Sequence, residues 1–169
     1  DKIVVCGVGL IGGSFALALK KTGVVGEVVG IGRSQATLDE ALRLGLIDRI
    51  GACDAATLRD ADLVLLATPV GQMPPLMQAM APHLGPQTAV TDGGSTKSDV
   101  VAAVRQHLPG HLSHFVPAHP IAGAENSGAA AAKADLYLER KVVLTPLPEN
   151  APEAVERVRA AWAACGATV

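Results

Sequence analysis

The sequence predicts an α/β domain, a doubly wound and mostly parallel sheet with helices on both faces, and three observations carry that expectation. Short runs of Val, Ile, Leu and Ala recur without polar alternation, the pattern of strands buried on both faces. Amphipathic stretches of helical length separate them, which gives the β-α-β-α alternation of a parallel sheet. The first apolar run breaks into Gly7-Val8-Gly9-Leu10-Ile11-Gly12 and then continues as a helix.

Ile3 to Ser14 therefore reads as the first strand, turn and helix start of a Rossmann-type dinucleotide-binding unit. Gly7 permits the tight turn, Gly9 lets the backbone approach a pyrophosphate, and Gly12 lets the helix pack against the strand. Leu10 and Ile11 open the helix, Leu10 to Lys21, whose free N–H groups and positive dipole end face the anion. Three glycines at this spacing are a weak signal alone; the β-branched strand before them and the helix after them supply the context. The expected ligand is NADP or NAD, against a glycine-rich turn that binds nothing.

Val28 to Ile31 forms the second strand and Gln35 to Leu44 a helix closed by Gly45. A ribose-binding carboxylate is expected at the end of that strand, about 20 residues past the glycines. Gly32 occupies the position, followed by Arg33 and Ser34. Loss of the carboxylate beside a guanidinium suits a 2′-phosphate, so NADP is preferred; the alternative for Arg33 is a solvated charge near a helix start. A short third strand is expected around Arg49 to Gly51 and one helical turn over Ala55 to Arg59. Leu63 to Ala67 is a buried strand ending in Thr68-Pro69, placed near the cofactor because ligands lie outside the carboxyl ends of strands in such sheets. Met73 to Leu84 reads as a helix with Pro74 and Pro75 in its first turn. Its Met73, Met77 and Met80 share a face expected to pack in the core.

Ala89 to Asp92 is the next strand, leading through Gly93-Gly94-Ser95-Thr96-Lys97 into a helix that ends at His107. Thr96 and Asp99 fit a capping box that leaves Ser95 free to point outward; Ser95 as the N-cap fits equally well. Phe115 to Ala118 is a further strand and delivers His119-Pro120-Ile121-Ala122-Gly123-Ala124-Glu125. A helical turn over Ala129 to Ala132, a strand from Lys141 to Thr145 and a helix from Pro152 to Ala164 complete the order.

The whole chain, residues 1–169, forms one dinucleotide-binding domain, since 49% hydrophobic residues suffice for a sizeable core. A net charge of −2 and 2% aromatic residues point away from nucleic acid and from a membrane surface. No apolar stretch approaches the roughly 18 residues of a spanning helix, so a cytoplasmic location is expected. Cys6, Cys53 and Cys165 are scattered and odd in number, and read as reduced small hydrophobes with no metal site among them. Both ends look cut, with Ala167-Thr168-Val169 resembling a strand start, so part of a longer protein is expected.

Hydride transfer needs a base for the substrate hydroxyl, and His is suited because it titrates near neutral pH. Of five histidines, His83, His107 and His111 sit near helix ends and His114 just before a strand. His119 alone falls at the carboxyl end of an expected strand, as a functional group or as a satisfied core histidine.

The glycine loop with Ser14, Ala67-Thr68-Pro69, Asp92-Gly93-Gly94-Ser95-Thr96-Lys97, His119-Pro120-Ile121-Ala122-Gly123-Ala124-Glu125 and Val142-Val143-Leu144-Thr145-Pro146 together resemble prephenate dehydrogenase and its arogenate and cyclohexadienyl relatives. The resemblance spans essentially the whole chain. It implies oxidative decarboxylation of prephenate or arogenate in tyrosine biosynthesis, with His119 taking the ring hydroxyl proton and Ser95 hydrogen-bonding both that hydroxyl and His119. It places Gly123 and Glu125 at the substrate, with a solvated loop carboxylate as the alternative for Glu125. Ala124 departs from relatives that often carry Thr or Ser. The family's helical C-terminal domain, which supplies dimerisation and a substrate-binding Arg, lies outside this sequence; a homodimer through that domain is expected, and nucleotide binding without turnover is one expectation for this stretch alone.

Tyr137 and Lys141 have the Tyr-x-x-x-Lys spacing of short-chain dehydrogenases, but Lys141 opens a strand, so the two would not share a helical face; Tyr137 is expected to pack and Lys141 to lie on the surface. Two other functions compete: a dehydrogenase of the β-hydroxyacid kind with its base in a helical domain, and a dinucleotide-sensing module that needs only the glycine loop.

Overall fold

The computed structural model describes residues 1–169. In chain order it has β1 (Lys2–Cys6), α1 (Leu10–Thr22), β2 (Glu27–Ile31), α2 (Gln35–Arg43), β3 (Arg49–Ile50), α3 (Ala55–Leu58) and β4 (Leu63–Leu66). Then come α4 (Met73–Met80), β5 (Ala89–Asp92), α5 (Lys97–His107), β6 (Phe115–Val116), β7 (Ala118–Pro120), β8 (Val142–Leu144) and α6 (Pro152–Ala164).

Six strands form one sheet in the order β3-β2-β1-β4-β5-β6, every neighbouring pair parallel. The chain starts in the middle, winds to one edge, crosses back and winds to the other. The direction reverses between β1 and β4, where Ile3 faces Leu63 and Cys6 faces Leu66. A crevice opens outside the carboxyl ends of strands at such a reversal, which is where this architecture holds ligands.

Side chains alternate across a strand, so β1 feeds two cores. Ile3 and Val5 pack with Phe15 and Leu19 of α1, Leu38 of α2 and Trp162 of α6. Val4 and Cys6 pack with Leu58 of α3, Val100 and Val104 of α5, and Met73, Met77 and Met80 of α4. The methionine stripe is thus core, as its spacing predicts. Burial also pushes the Cys6 thiol far up, which leaves it inert. Phe15, Tyr137 and Trp162 meet edge-on, with ring centroids 4.7 Å and 5.1 Å apart, and the Tyr137 hydroxyl donates to the Ile11 carbonyl at 2.7 Å. Tyr137 packs as expected, and through it the far end of the chain braces the helix that begins at the glycine loop.

The structure corrects three expectations. Phe115 to Ala118 is not one strand: Pro117 has no N–H for a ladder, so β6 stops at Val116 and the chain turns out of the sheet. β7 then pairs antiparallel with β8 in a separate ribbon, His119 opposite Val143. The helix from Met73 ends at Met80 instead of Leu84, because Pro82 has no N–H to continue it. The capping box is absent: Thr96 occupies the N-cap of α5 without a side-chain bond, which also removes Ser95 from that position. Thr168, in the segment that resembles a strand start, forms a parallel bridge with Lys141. No helix is long and apolar enough to cross a membrane.

Candidate dinucleotide and active site

The glycine loop earns its composition from sterics. Gly7 sits at φ +90°, and a side-chain carbon there would come within 2.8 Å of the Ala67 carbonyl oxygen. At Gly12 the same carbon would meet the Gly7 carbonyl oxygen at 2.1 Å and Val5 at 2.8 Å, so α1 can lie against β1 only with glycine at that turn. Around Gly9 the space is open, with nothing within 4 Å. Gly9 is the N-cap of α1 and has no capping side chain; the Gly13 N–H donates to its carbonyl at 2.8 Å, and the N–H groups ahead face outward. An anion there meets donors and the positive end of a helix.

A cleft of about 870 Å³ lies beside this loop; Gly7, Gly9, Gly32, Arg33, Ser34, Thr68 and Pro69 are among the residues that line it, with Cys6, Thr37, Leu38, Gln72 and Leu76 also on its walls. The Thr68 hydroxyl is shut away from solvent and has no partner within the protein. A buried hydroxyl left so costs about 1–3 kcal/mol, and a polar ligand in the cleft relieves it. The open cradle at Gly9 and the unpaired hydroxyl of Thr68 therefore fit a dinucleotide. Leu10 and Ile11 are half-buried in the first turn of α1 and do not line the cleft. At its far end Gly32 and Arg33 are exposed, while the Ser34 hydroxyl caps α2 by accepting the Thr37 N–H at 3.3 Å.

The second half of the site forms where β5 and β7 approach. A side-chain carbon on Gly93 would lie 3.1 Å from Ile11 and 3.9 Å from Pro120, so this glycine lets the first turn of α1 and the strand carrying His119 close on each other. His119 is half-buried, and its Nδ1 lies 3.1 Å from the Gly94 carbonyl oxygen. A carbonyl can only accept, so Nδ1 carries a proton, and in the neutral ring Nε2 is the nitrogen that holds the lone pair. Ser95 is exposed and makes no hydrogen bond to His119. The expected Ser95–His119 bond is replaced by one to the preceding residue's backbone, because the turn at Gly93-Gly94 presents a carbonyl to the ring. Gly123 and Glu125 are exposed in the loop after β7. None of Ser95, His119, Gly123 and Glu125 lines the cleft, and no hydrogen bond joins Gly123 or Glu125 to His119.

Two residues of the Asp92-to-Lys97 run to which the sequence attached no role stand at the centre of this corner. Asp92 is fully buried; its Oδ2 accepts the Gly94 N–H at 2.9 Å and the Lys97 ammonium, and its Oδ1 accepts the Ala118 N–H at 3.1 Å. Lys97 also donates to the Ala118 carbonyl. Burial pushes the Asp92 carboxyl up and the Lys97 ammonium down, each opposed by the other's charge. A carboxylate ending an otherwise apolar strand was the available signal, since such a charge needs a buried partner.

Known proteins resemble this chain in sequence and in fold. The family pattern described as prephenate dehydrogenase, nucleotide-binding domain, matches residues 15–169. The prephenate dehydrogenase of Bacillus subtilis is 39% identical over 161 residues, 94% of this chain and 43% of that protein. The cyclohexadienyl dehydrogenase of Zymomonas mobilis is 35% identical, covering 99% of this chain and 56% of its own. A crystal structure of prephenate dehydrogenase from A. aeolicus, in complex with hydroxyphenyl propionate and NAD+, superposes with a TM-score of 0.90 at 32% identity and covers all of this chain and 58% of that one. The chain spans about half the length of the relatives it matches. It belongs to the prephenate dehydrogenase family, and residues 15–169 match that family's nucleotide-binding domain.

Proposed function

We propose that the protein containing this domain oxidatively decarboxylates prephenate or arogenate, passing hydride to a nicotinamide dinucleotide. The observation that carries the reading is the His119–Gly94 bond, which engages Nδ1 and leaves Nε2 as the ring nitrogen without a protein partner, on a strand beside the glycine loop. The bound dinucleotide supplies the hydride acceptor. His119 Nε2 takes the proton of the substrate's 4-hydroxyl as C4 gives up hydride; the bond from C1 to the ring carboxylate then breaks, its electron pair enters the ring, and carbon dioxide leaves an aromatic product. In this reading Ser95, exposed next to Gly94, binds the same hydroxyl, and Gly123 and Glu125, exposed in the loop after β7, contact the substrate. The dinucleotide is NADP by preference: Gly32 offers no carboxylate, and exposed Arg33 at the start of α2 suits a 2′-phosphate, although the A. aeolicus relative was solved with NAD+. Dimerisation through a further helical domain belongs to the same proposal.

The test is steady-state reduction of NADP and NAD by the intact protein, with prephenate and arogenate supplied separately. Turnover with either substrate is the expected result. Nucleotide binding by calorimetry with no turnover on either would replace this reading by another dehydrogenase or a sensing module.

A further inference from the structure

We propose that the buried Asp92–Lys97 ion pair is a positioning clamp that holds His119 in its Nδ1–H tautomer, an inference that rests on His119 being the base proposed above. The connections close a ring. Asp92 holds the Gly94 N–H, and the Gly94 carbonyl holds His119 Nδ1. Asp92 and Lys97 together hold the N–H and the carbonyl of Ala118, the residue before His119. Both anchors of the imidazole, its backbone and its ring partner, thus lead to one carboxylate.

The topology explains why side chains are needed there. β7 has β8 on one side only. An edge strand leaves backbone donors and acceptors unpaired, and burying them without partners is costly. The ion pair takes the place of the missing neighbouring strand at the one residue that precedes the base. Gly94 belongs to the same device: a side-chain carbon there would lie 3.0 Å from Asp92 Oδ2 and from Val70 and would crowd the carboxylate that accepts its backbone N–H. Orienting a histidine through its second nitrogen, and so fixing which nitrogen is free to act, is a general device of histidine bases.

The test is nitrogen-15 NMR of labelled histidine in the intact protein, with kinetics beside it. The unmodified protein is measured first and should show the Nδ1–H tautomer of His119; the Nε2–H tautomer there overturns the proposal without any variant. Asp92→Asn and Lys97→Met should each turn the dominant tautomer into a mixture, lower kcat about tenfold or more, and leave the dinucleotide KM within about twofold. A single variant strands a buried charge and can fail to fold, so the double variant Asp92→Asn/Lys97→Met, which removes both charges, is measured alongside. Variants that melt earlier yet keep the tautomer and kcat would reduce the pair to a structural brace and overturn the clamp. An intact protein that oxidises neither prephenate nor arogenate removes the proposed function, while the tautomer measurement still decides the clamp.

Discussion

His119 offers two ring nitrogens, and the Gly94 carbonyl occupies one of them. Replacing the ring by an amide keeps a donor toward that carbonyl and removes the titratable lone pair. His119→Asn in the intact protein should therefore lower kcat by about 10²–10⁴ with dinucleotide affinity nearly unchanged; turnover at the parent rate would remove the base assignment. Arg33 poses the complementary test at the other end of the cleft. Arg33→Ala should weaken NADP binding about tenfold, the effect of losing a guanidinium–phosphate contact, and leave NAD within about twofold. Equal losses for both nucleotides in a titration would eliminate the 2′-phosphate contact. Gly12 is constrained by contact rather than by chemistry. Gly12→Ala would place a methyl group 2.1 Å from the Gly7 carbonyl oxygen, so thermal unfolding should show about 1–3 kcal/mol of lost stability.

At the scale of elements, the single Trp of the chain joins α6 to α1. Trp162 is fully buried between Phe15 and Tyr137. Trp162→Ala should destabilise the domain by about 3–5 kcal/mol in denaturant unfolding, because the cavity lies where two helices and the segment carrying Tyr137 converge. A loss under 1 kcal/mol, well below that range, would show that this corner collapses freely. Helix and strand existence was largely legible: α1, α2, α5, α6 and the apolar strands fall where periodicity and glycine punctuation place them. The strand around His119 was not. An apolar run reads alike in a sheet and in a ribbon, and only the pairing partner, here β8, decides which it joins.

For the whole molecule, acid sensitivity should arise in part from the layer that closes the sheet edge. His111 is half-buried after α5, its Nε2–H donating to the Thr88 carbonyl at 2.7 Å, with the His114 ring 5.5 Å away. Burial lowers its pKa from the ordinary 6.5, against the bond to Thr88 and with help from His114. The folded state then prefers the neutral ring, and below about pH 6.5 the unfolded chain binds more protons. Stability from this group is full above that pH and is lost as pH falls through the folded value. His111→Gln, which keeps a donor toward Thr88, should flatten the decline in melting temperature below neutrality; an unchanged slope would assign the acid sensitivity elsewhere.

The sequence by itself determined the layered α/β fold and the glycine loop, because strand and helix periodicities and the sterics of Gly7 and Gly12 are local in the chain. It also singled out His119, through its position among strand, proline and glycine. What only the tertiary structure decided is how that histidine is held: the expected Ser95 partner gives way to the Gly94 carbonyl, and Asp92 and Lys97 emerge as the groups that fix both. The contacts from Gly94 to His119 and from Asp92 to Ala118 join residues more than twenty positions apart across the ends of β5 and β7. Which carbonyl or carboxylate meets a side chain at such a corner depends on how two sheets pack and on where a buried charge finds partners, neither of which is written in residue spacing.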